Sequence, residues 1–315
     1  MTTAYINHVG TAVPPHDIHG RFISFADGLL ESPVEKKLFR RMAALSGIQH
    51  RYSFLAPAEK VDDLSADAEG FYRRGRFPGT AARMDRYQRM GITLCEQAIA
   101  VLAEEVDVQS ASHLLMVSCT GFVAPGIEQM LIDRLGLDPA IERTAVGFMG
   151  CAAAVNALRL ARHIVRSDPD AHVLMINLEL CPLHFQENGE LERLLSGLLF
   201  GDGCAASMIS SEGRGIEIDD FRAVTIPGTA GHITWRIGDQ GFEMHLSGDV
   251  PHQLSQALHS ELLRNDRNGI LRGEPVDAYR LWAVHPGGRT ILDAVARGLE
   301  LPEEALQRSR SILGD

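Results

Sequence analysis

The sequence predicts an α/β fold built from two similar βαβ halves, and two observations carry that expectation. From about residue 85 onwards strand-like and helix-like segments alternate, the order that lays helices on a largely parallel sheet. Residues 114–139 are also echoed by residues 281–302. Each reads apolar strand, a turn containing PG, then a helix, closing in LGLDP and in LELP respectively. From Gly126 to Pro139 is 13 residues, and from Gly288 to Pro302 is 14. The join is expected near residues 212–222, dividing the chain into halves at 1–218 and 219–315.

The elements follow in order. Residues 87–105 carry helical spacing through Leu94, Ile99 and Leu102. Residues 113–119 (HLLMVSC) are a short apolar run of buried-strand type. Residues 125–135 return to helix, with Ile127, Leu131 and Leu135 four apart. Strand is expected again over 144–150, helix over 152–165 and strand over 172–179. The echo puts a further strand at 281–284 (LWAV) ahead of HPGG and a helix.

Bulk properties narrow the function. The 315 residues are 45% hydrophobic and 23% charged, with a formal charge of −11 and a pI near 5.6. That balance argues against nucleic acid as a partner, which calls for basic stripes. No run of about 18 apolar residues occurs, so no membrane span is expected. The first residues have neither a basic n-region nor an apolar core, so no signal peptide is expected. The five cysteines, Cys95, Cys119, Cys151, Cys181 and Cys204, are odd in number and lack CxxC spacing. Reduced thiols in a cytoplasm fit better than a disulfide framework or a metal site.

One cysteine stands apart. In TAVGFMGCAAAVNALRLARHIV a strand runs into Gly147 and Gly150, then Cys151, then three alanines opening a helix. Gly150 permits a sharp turn. The alanines let the helix start pack closely, with Ala154, Leu158, Ala161 and Val165 inward and Arg159, Arg162, His163 and Arg166 outward. A thiol at a helix N-terminus sees the positive end of the macrodipole, which favours the nucleophilic thiolate. Most lone cysteines are core residues, and Cys95, Cys181 and Cys204, in apolar settings, are read that way.

The second signal is LWAVHPGGRTILDAV, where His285 ends an apolar run and Pro286, Gly287 and Gly288 free the backbone. A histidine there can reach a pocket at the carboxyl ends of the strands. Gly201-Asp202-Gly203 resembles a dinucleotide loop superficially, but the strand-like CAASMIS follows it. A helix-to-strand turn is the better reading. Glu179 ends a buried strand and is expected to serve a local hydrogen-bond network.

Together, GFMGCAAAVNALRLA, ELCPLHFQ, LLFGDGCAA and WAVHPGGRTILDAV resemble the type III polyketide synthases, the chalcone synthase-like family. IQHRY, CTGFVAPG and GFEMHLSGDVP extend the resemblance, whose CTGFVAPG and GFMGC forms are closer to the bacterial alkylpyrone and alkylresorcinol branch. The resemblance implies a thiolase-like fold layered α/β/α/β/α. It implies an acyltransferase condensing an acyl starter, fatty acyl in that branch, with malonyl-CoA, without a cofactor or metal, as a homodimer. Cys151 matches the nucleophile and His285 its partner histidine. Phe200 matches a gatekeeping phenylalanine, and Met244 stands at the second gatekeeper position. Cys119 and His184 fall on cavity-lining positions, and Ala124 on a loop crossing the dimer interface.

Two departures qualify the match. Of the basic residues that bind coenzyme A only one is matched, by Arg41. Leu38 and Leu45 stand at the others, with Lys36, Lys37 and Arg40 nearby, so an acyl-carrier protein is an alternative starter donor. The family's catalytic asparagine would lie about three residues beyond Asp315, so the second half is expected to be incomplete at its C-terminal end. The alternatives are a ketoacyl-carrier-protein synthase III-like single condensation and a non-catalytic acyl-binding or heterodimerising homologue.

Overall fold

A computed structural model describes residues 2–59, 64–264 and 266–315. In chain order the first half holds β1 (Tyr5–Ala12), β2 (His16–Asp17), α1 (His19–Leu29), α2 (Pro33–Leu45), β3 (Tyr52–Ser53), α3 (Thr80–Ala103) and β4 (His113–Ser118). It continues through α4 (Ile127–Leu135), β5 (Glu142–Gly147), α5 (Ala153–Ser167), β6 (Val173–Leu180), α6 (Leu191–Gly197), β7 (Asp202–Ser210) and β8 (Ile216–Glu217). The second half holds β9 (Ile233–Gly238), β10 (Gly241–Leu246), α7 (Val250–Leu262), α8 (Arg289–Gly298) and α9 (Gln307–Gly314).

One mixed sheet organises the first half, in the order β5-β4-β6-β7-β1-β8. β4 runs parallel to both β5 and β6, whereas β7 and β1 are antiparallel to their neighbours. The apolar runs read as buried strands because both faces are covered. Leu114 and Met116 of β4, with Leu174, Ile176 and Leu178 of β6, pack under α3 and α4. The intervening Leu115, Val117, Val173 and Met175 pack under α5. The two-residue period of a strand thus serves two helical layers at once.

α5 differs from expectation by a small rotation. Its most buried line is Ala153, Ala157, Ala161 and Val165, while Ala154 and Leu158 lie at the edge of the contact. Alanine offers little to choose between adjacent lines, and its small size admits the close approach. Nor is the outer face merely solvated: Arg162 donates from Nε to the Ile218 carbonyl at 2.9 Å, and Arg159 lies 5.3 Å from the Phe221 ring. These contacts fasten the segment joining the halves.

The second half is thinner. β9 and β10 form a separate hairpin, and α7 packs on α8. α8 lies where the echo places it, but residues 281–284 form no strand: no described residue supplies a ladder, and Leu281 is 86% exposed. An apolar run becomes a strand only where a neighbouring backbone accepts and donates its hydrogen bonds. Among the described residues there is therefore no second central sheet.

Candidate active site

Cys151 lies where β5 gives way to α5. Phe148 and Gly150 both adopt positive φ, +55° and +68°, and a short 3₁₀ turn over Gly150–Ala152 leads into the helix. Nothing would obstruct a Cβ at Gly150, so glycine is required there for its φ alone. Phe148 is a bulky residue in a left-handed conformation, a strain of the kind that clusters at functional sites. Its ring is held by Phe122 and Phe242, with centroids 5.3 and 5.7 Å away.

Beside this turn, residues 118–120 after β4 form a fully pinned wall. Tyr87 Oη donates to Ser118 Oγ at 2.8 Å, and the Cys119 N–H donates to Glu179 Oε1 at 2.9 Å. Trp235 Nε1 donates to the Cys119 carbonyl at 2.7 Å. His184 Nε2 donates to the Thr120 carbonyl at 2.7 Å while its Nδ1 accepts the Phe242 N–H at 2.9 Å, which fixes the tautomer. The imidazole stacks on Phe242 at 4.1 Å, and burial pushes its pKa down to about 4. His184 is thus a neutral strut. Its loop is held by the buried Arg83, whose Nη1 donates to the carbonyls of Leu183 and Phe185, each at 2.7 Å. Cys119 Sγ approaches the Gly150 carbonyl at 3.8 Å, linking wall to turn.

These elements enclose a cavity of about 990 Å³. Cys151, His285, Phe200, Met244, Cys119 and His184 all line it, as do Glu179 and Cys181. His285 belongs to no strand. The Val284 N–H donates to Ser309 Oγ at 3.1 Å, and the Gly287 N–H closes on the His285 carbonyl at 3.0 Å. Gly288, at φ +128°, then starts α8.

The cavity's electrostatics differ from those expected of a thiol at a helix N-terminus. Burial raises the Cys151 thiol, and the nearby Glu179 carboxyl raises it further. Burial lowers the His285 imidazole, and no described hydrogen bond joins it to Cys151. In mostly apolar walls, desolvation outweighs the dipole of a helix that begins two residues later. Both shifts favour the neutral thiol and the neutral imidazole. Glu179 is itself pushed up to about 7 by burial, against hydrogen bonds from Thr120 and Cys119.

Comparisons with known proteins agree with this geometry. The family model described as chalcone and stilbene synthases, N-terminal domain, matches residues 2–213, and its C-terminal counterpart matches residues 219–315. The chain belongs to the chalcone and stilbene synthase family. It is 30% identical to 1,3,6,8-tetrahydroxynaphthalene synthase from Streptomyces peucetius subsp. caesius, over 97% of this chain and 80% of that protein. It is 30% identical to the alpha-pyrone synthesis polyketide synthase-like Pks18 of Mycobacterium tuberculosis, over 64% of this chain and 52% of that one. The crystal structure of PKS-I from the brown alga Ectocarpus siliculosus superposes with a TM-score of 0.83 at 27% identity, covering 100% of this chain and 85% of that one. The fold is therefore the thiolase-like α/β fold of type III polyketide synthases, and the chain is an acyltransferase of that family.

Within this family frame, two residues singled out from sequence lie outside the cavity. Arg41 is exposed on the outer face of α2, and Ala124 is exposed on the loop after β4. Cys95 and Cys204 are core residues, with sulfurs 3.8 Å apart, but Cys181 lines the cavity instead. Asp202 starts β7 and accepts Ser53 Oγ at 2.7 Å, so the glycine-flanked turn is structural. Sequence reading missed Arg83, Trp235 and Phe242, and it placed Glu179 in a hydrogen-bond network without bringing it to the cavity. No helix of the described residues is long and apolar enough to cross a membrane, and none of their His, Cys, Asp and Glu clusters could hold a metal ion.

Proposed function

We propose that Cys151 carries the acyl chain and that His285 is its proton partner in decarboxylative Claisen condensation with malonyl-CoA. The reading rests on one observation: both residues line the same mostly apolar cavity. A neutral imidazole is the form that can take the thiol's proton, so the resting state suits its task. The thiolate attacks the starter thioester, a new carbon–sulfur bond forms, and the donor thiol leaves with a proton. Malonyl-CoA then loses carbon dioxide, and its enolate attacks the Cys151 thioester and releases the thiolate. His285 passes the thiol's proton to the departing donor, and its remaining ring N–H would donate to the enolate oxygen.

Phe22, Leu55, Leu194 and Leu198 extend the cavity as apolar wall, which favours a fatty acyl starter. Phe200 and Met244 stand as its gatekeepers, and methionine yields volume to a linear chain. The donor is acyl-CoA, with Arg41 as a phosphate contact, or an acyl-carrier protein. Among the described residues β5 is an edge strand, paired only with β4, and Phe122, Met149 and Val155 near it are 48%, 56% and 46% exposed. That surface supports a homodimer in which the loop carrying Ala124 crosses between subunits.

The test is incubation with octanoyl-CoA and malonyl-CoA, followed by mass spectrometry of protein and products. An octanoyl adduct on Cys151 and products extended by several two-carbon units are expected. A single two-carbon extension would replace the reading with a one-step ketoacyl synthase.

A further inference from the structure

We infer that the outer face of α2 docks an acyl-carrier protein through that protein's acidic helix. The inference rests on the acyl-loading reading above, chooses the carrier protein as donor and adds the surface that holds it. α2 begins at Ser32, whose Oγ caps the Glu35 N–H, with Pro33 in the first turn. Its Phe39 and Ala43 pack inward on Leu194 and Leu198, which are themselves cavity walls. The helix is thus one layer from the substrate.

The outward side carries a line of exposed apolar side chains. Val34, Leu38, Met42 and Leu45 are 76%, 43%, 43% and 53% exposed. Spaced by four, four and three residues, they share one stripe about 16 Å long. Lys37 and Arg41 fall along its border, and neither forms an ion pair or side-chain hydrogen bond with any described residue; Arg40 beside them is held by Asp27. Free cations around an apolar line are a local reversal on a chain of net charge −11.

An amphipathic helix with acidic flanks complements both features at once, its apolar line against the stripe and its carboxylates against Lys37 and Arg41. A bilayer would need a wider apolar face, and an anionic one would meet the net negative charge of the whole molecule. The stripe also lies close to the chemistry. Arg289 Nη1 donates to the Leu45 carbonyl at 3.1 Å, tying the end of α2 to the residue that follows the HPGG turn. A thioester on a flexible arm, anchored beside α2, could enter the cavity and exchange its acyl group with Cys151. Its carbon–sulfur bond breaks as the Cys151 bond forms, and the arm's thiol leaves protonated.

The experiment uses a fluorescently labelled bacterial acyl-carrier protein, free and octanoyl-charged, with octanoyl-N-acetylcysteamine as a small donor. The double variant Lys37→Glu/Leu38→Asp and the single variant Met42→Asp alter only exposed side chains. Carrier binding by anisotropy, and carrier-dependent octanoylation of Cys151, should each fall about tenfold or more. Octanoylation by the small donor should stay within about twofold in the same variants. Unchanged carrier binding in both variants would overturn the inference. So would loss of binding to phosphatidylglycerol vesicles with carrier binding intact, which would make α2 a lipid-facing helix. Failure of every donor to label Cys151 would break the acyl-loading reading instead, and the anisotropy measurement would still judge the docking.

Discussion

The chain reaches Cys151 through a turn flanked by β5 and α5, and it reaches His285 through ten residues, 279–288, that belong to no helix or strand. On the cysteine side, the backbone conformation is set by ladder bonds on β5, helical bonds in α5 and the pinned segment after β4. On the histidine side, Tyr279 is hydrogen-bonded to Leu271 and Val276, and nearer the histidine the bonds run from the Val284 N–H to Ser309 and across the Gly287 turn. Cys151 is therefore placed by the sheet, and His285 by how α8 and α9 settle against it. Stability and catalysis should respond differently to damage on the two sides.

Replacing Cys151, the proposed nucleophile, has the largest expected effect. Cys151→Ala should abolish the acyl adduct seen by intact-protein mass spectrometry, while Cys119→Ala should retain it. A labelled Cys151→Ala protein would move the nucleophile elsewhere. Gly150→Ala comes next, because a Cβ at φ +68° costs about 1–2 kcal/mol and displaces the thiol. It should lower the melting temperature and slow acylation together. Ser309→Ala should separate the two properties. Losing one partly buried hydrogen bond costs about 1 kcal/mol, and condensation should fall more than iodoacetamide labelling of Cys151, because water can also take the thiol's proton. Equal losses of both would mean that the two sides are not independently supported.

Titration tests the pinned side. An ionised Glu179 opposes the Cys151 thiolate, so Glu179→Gln should move the pH midpoint of iodoacetamide inactivation downward. An unmoved midpoint would leave burial as the sole cause. The smallest effect concerns stability. Asp202, like Glu179, is pushed up to about 7 by burial. Its folded form retains a proton that the unfolded chain releases near the ordinary carboxylate value of 3.8. Stability from this group is complete at low pH and is lost as pH rises through about 7. His184, lowered to about 4, acts in the opposite sense, losing stability as pH falls below the ordinary imidazole value. The clean measurement is therefore a difference: the melting temperature of Asp202→Asn relative to the parent should rise between pH 5 and about pH 8.

What is legible in the sequence is what neighbours in the chain determine. The apolar runs of β4 and β6, the glycines before Cys151 and the small residues opening α5 each announce themselves within a few positions. Residues 281–284 look like β4 in composition, but whether they pair depends on backbone that no local pattern reports. Glu179 meets Cys119 across 60 residues and Arg83 meets Leu183 across 100, so neither partnership leaves a spacing to find. Resemblance places His184 at the cavity, but its role as a strut emerges only when Phe242 and Thr120 close on both ring nitrogens.

Arg83 bears on how the cavity behaves as a container. It is completely buried, it grips carbonyl oxygens with no carboxylate beside it, and its Nη2 has no hydrogen-bond partner among the described residues. If the loop carrying His184 swung outward, a buried positive charge would lose two carbonyls and keep only the Pro78 carbonyl and the Tyr72 hydroxyl. That state is far costlier than parting the loop's own side chains from their neighbours. The loop cannot swell by degrees to suit a longer guest. On this side the cavity is a mould with a fixed outline, and a growing chain must take its shape from the wall or find its extra room across the cavity, around Met244 and His285.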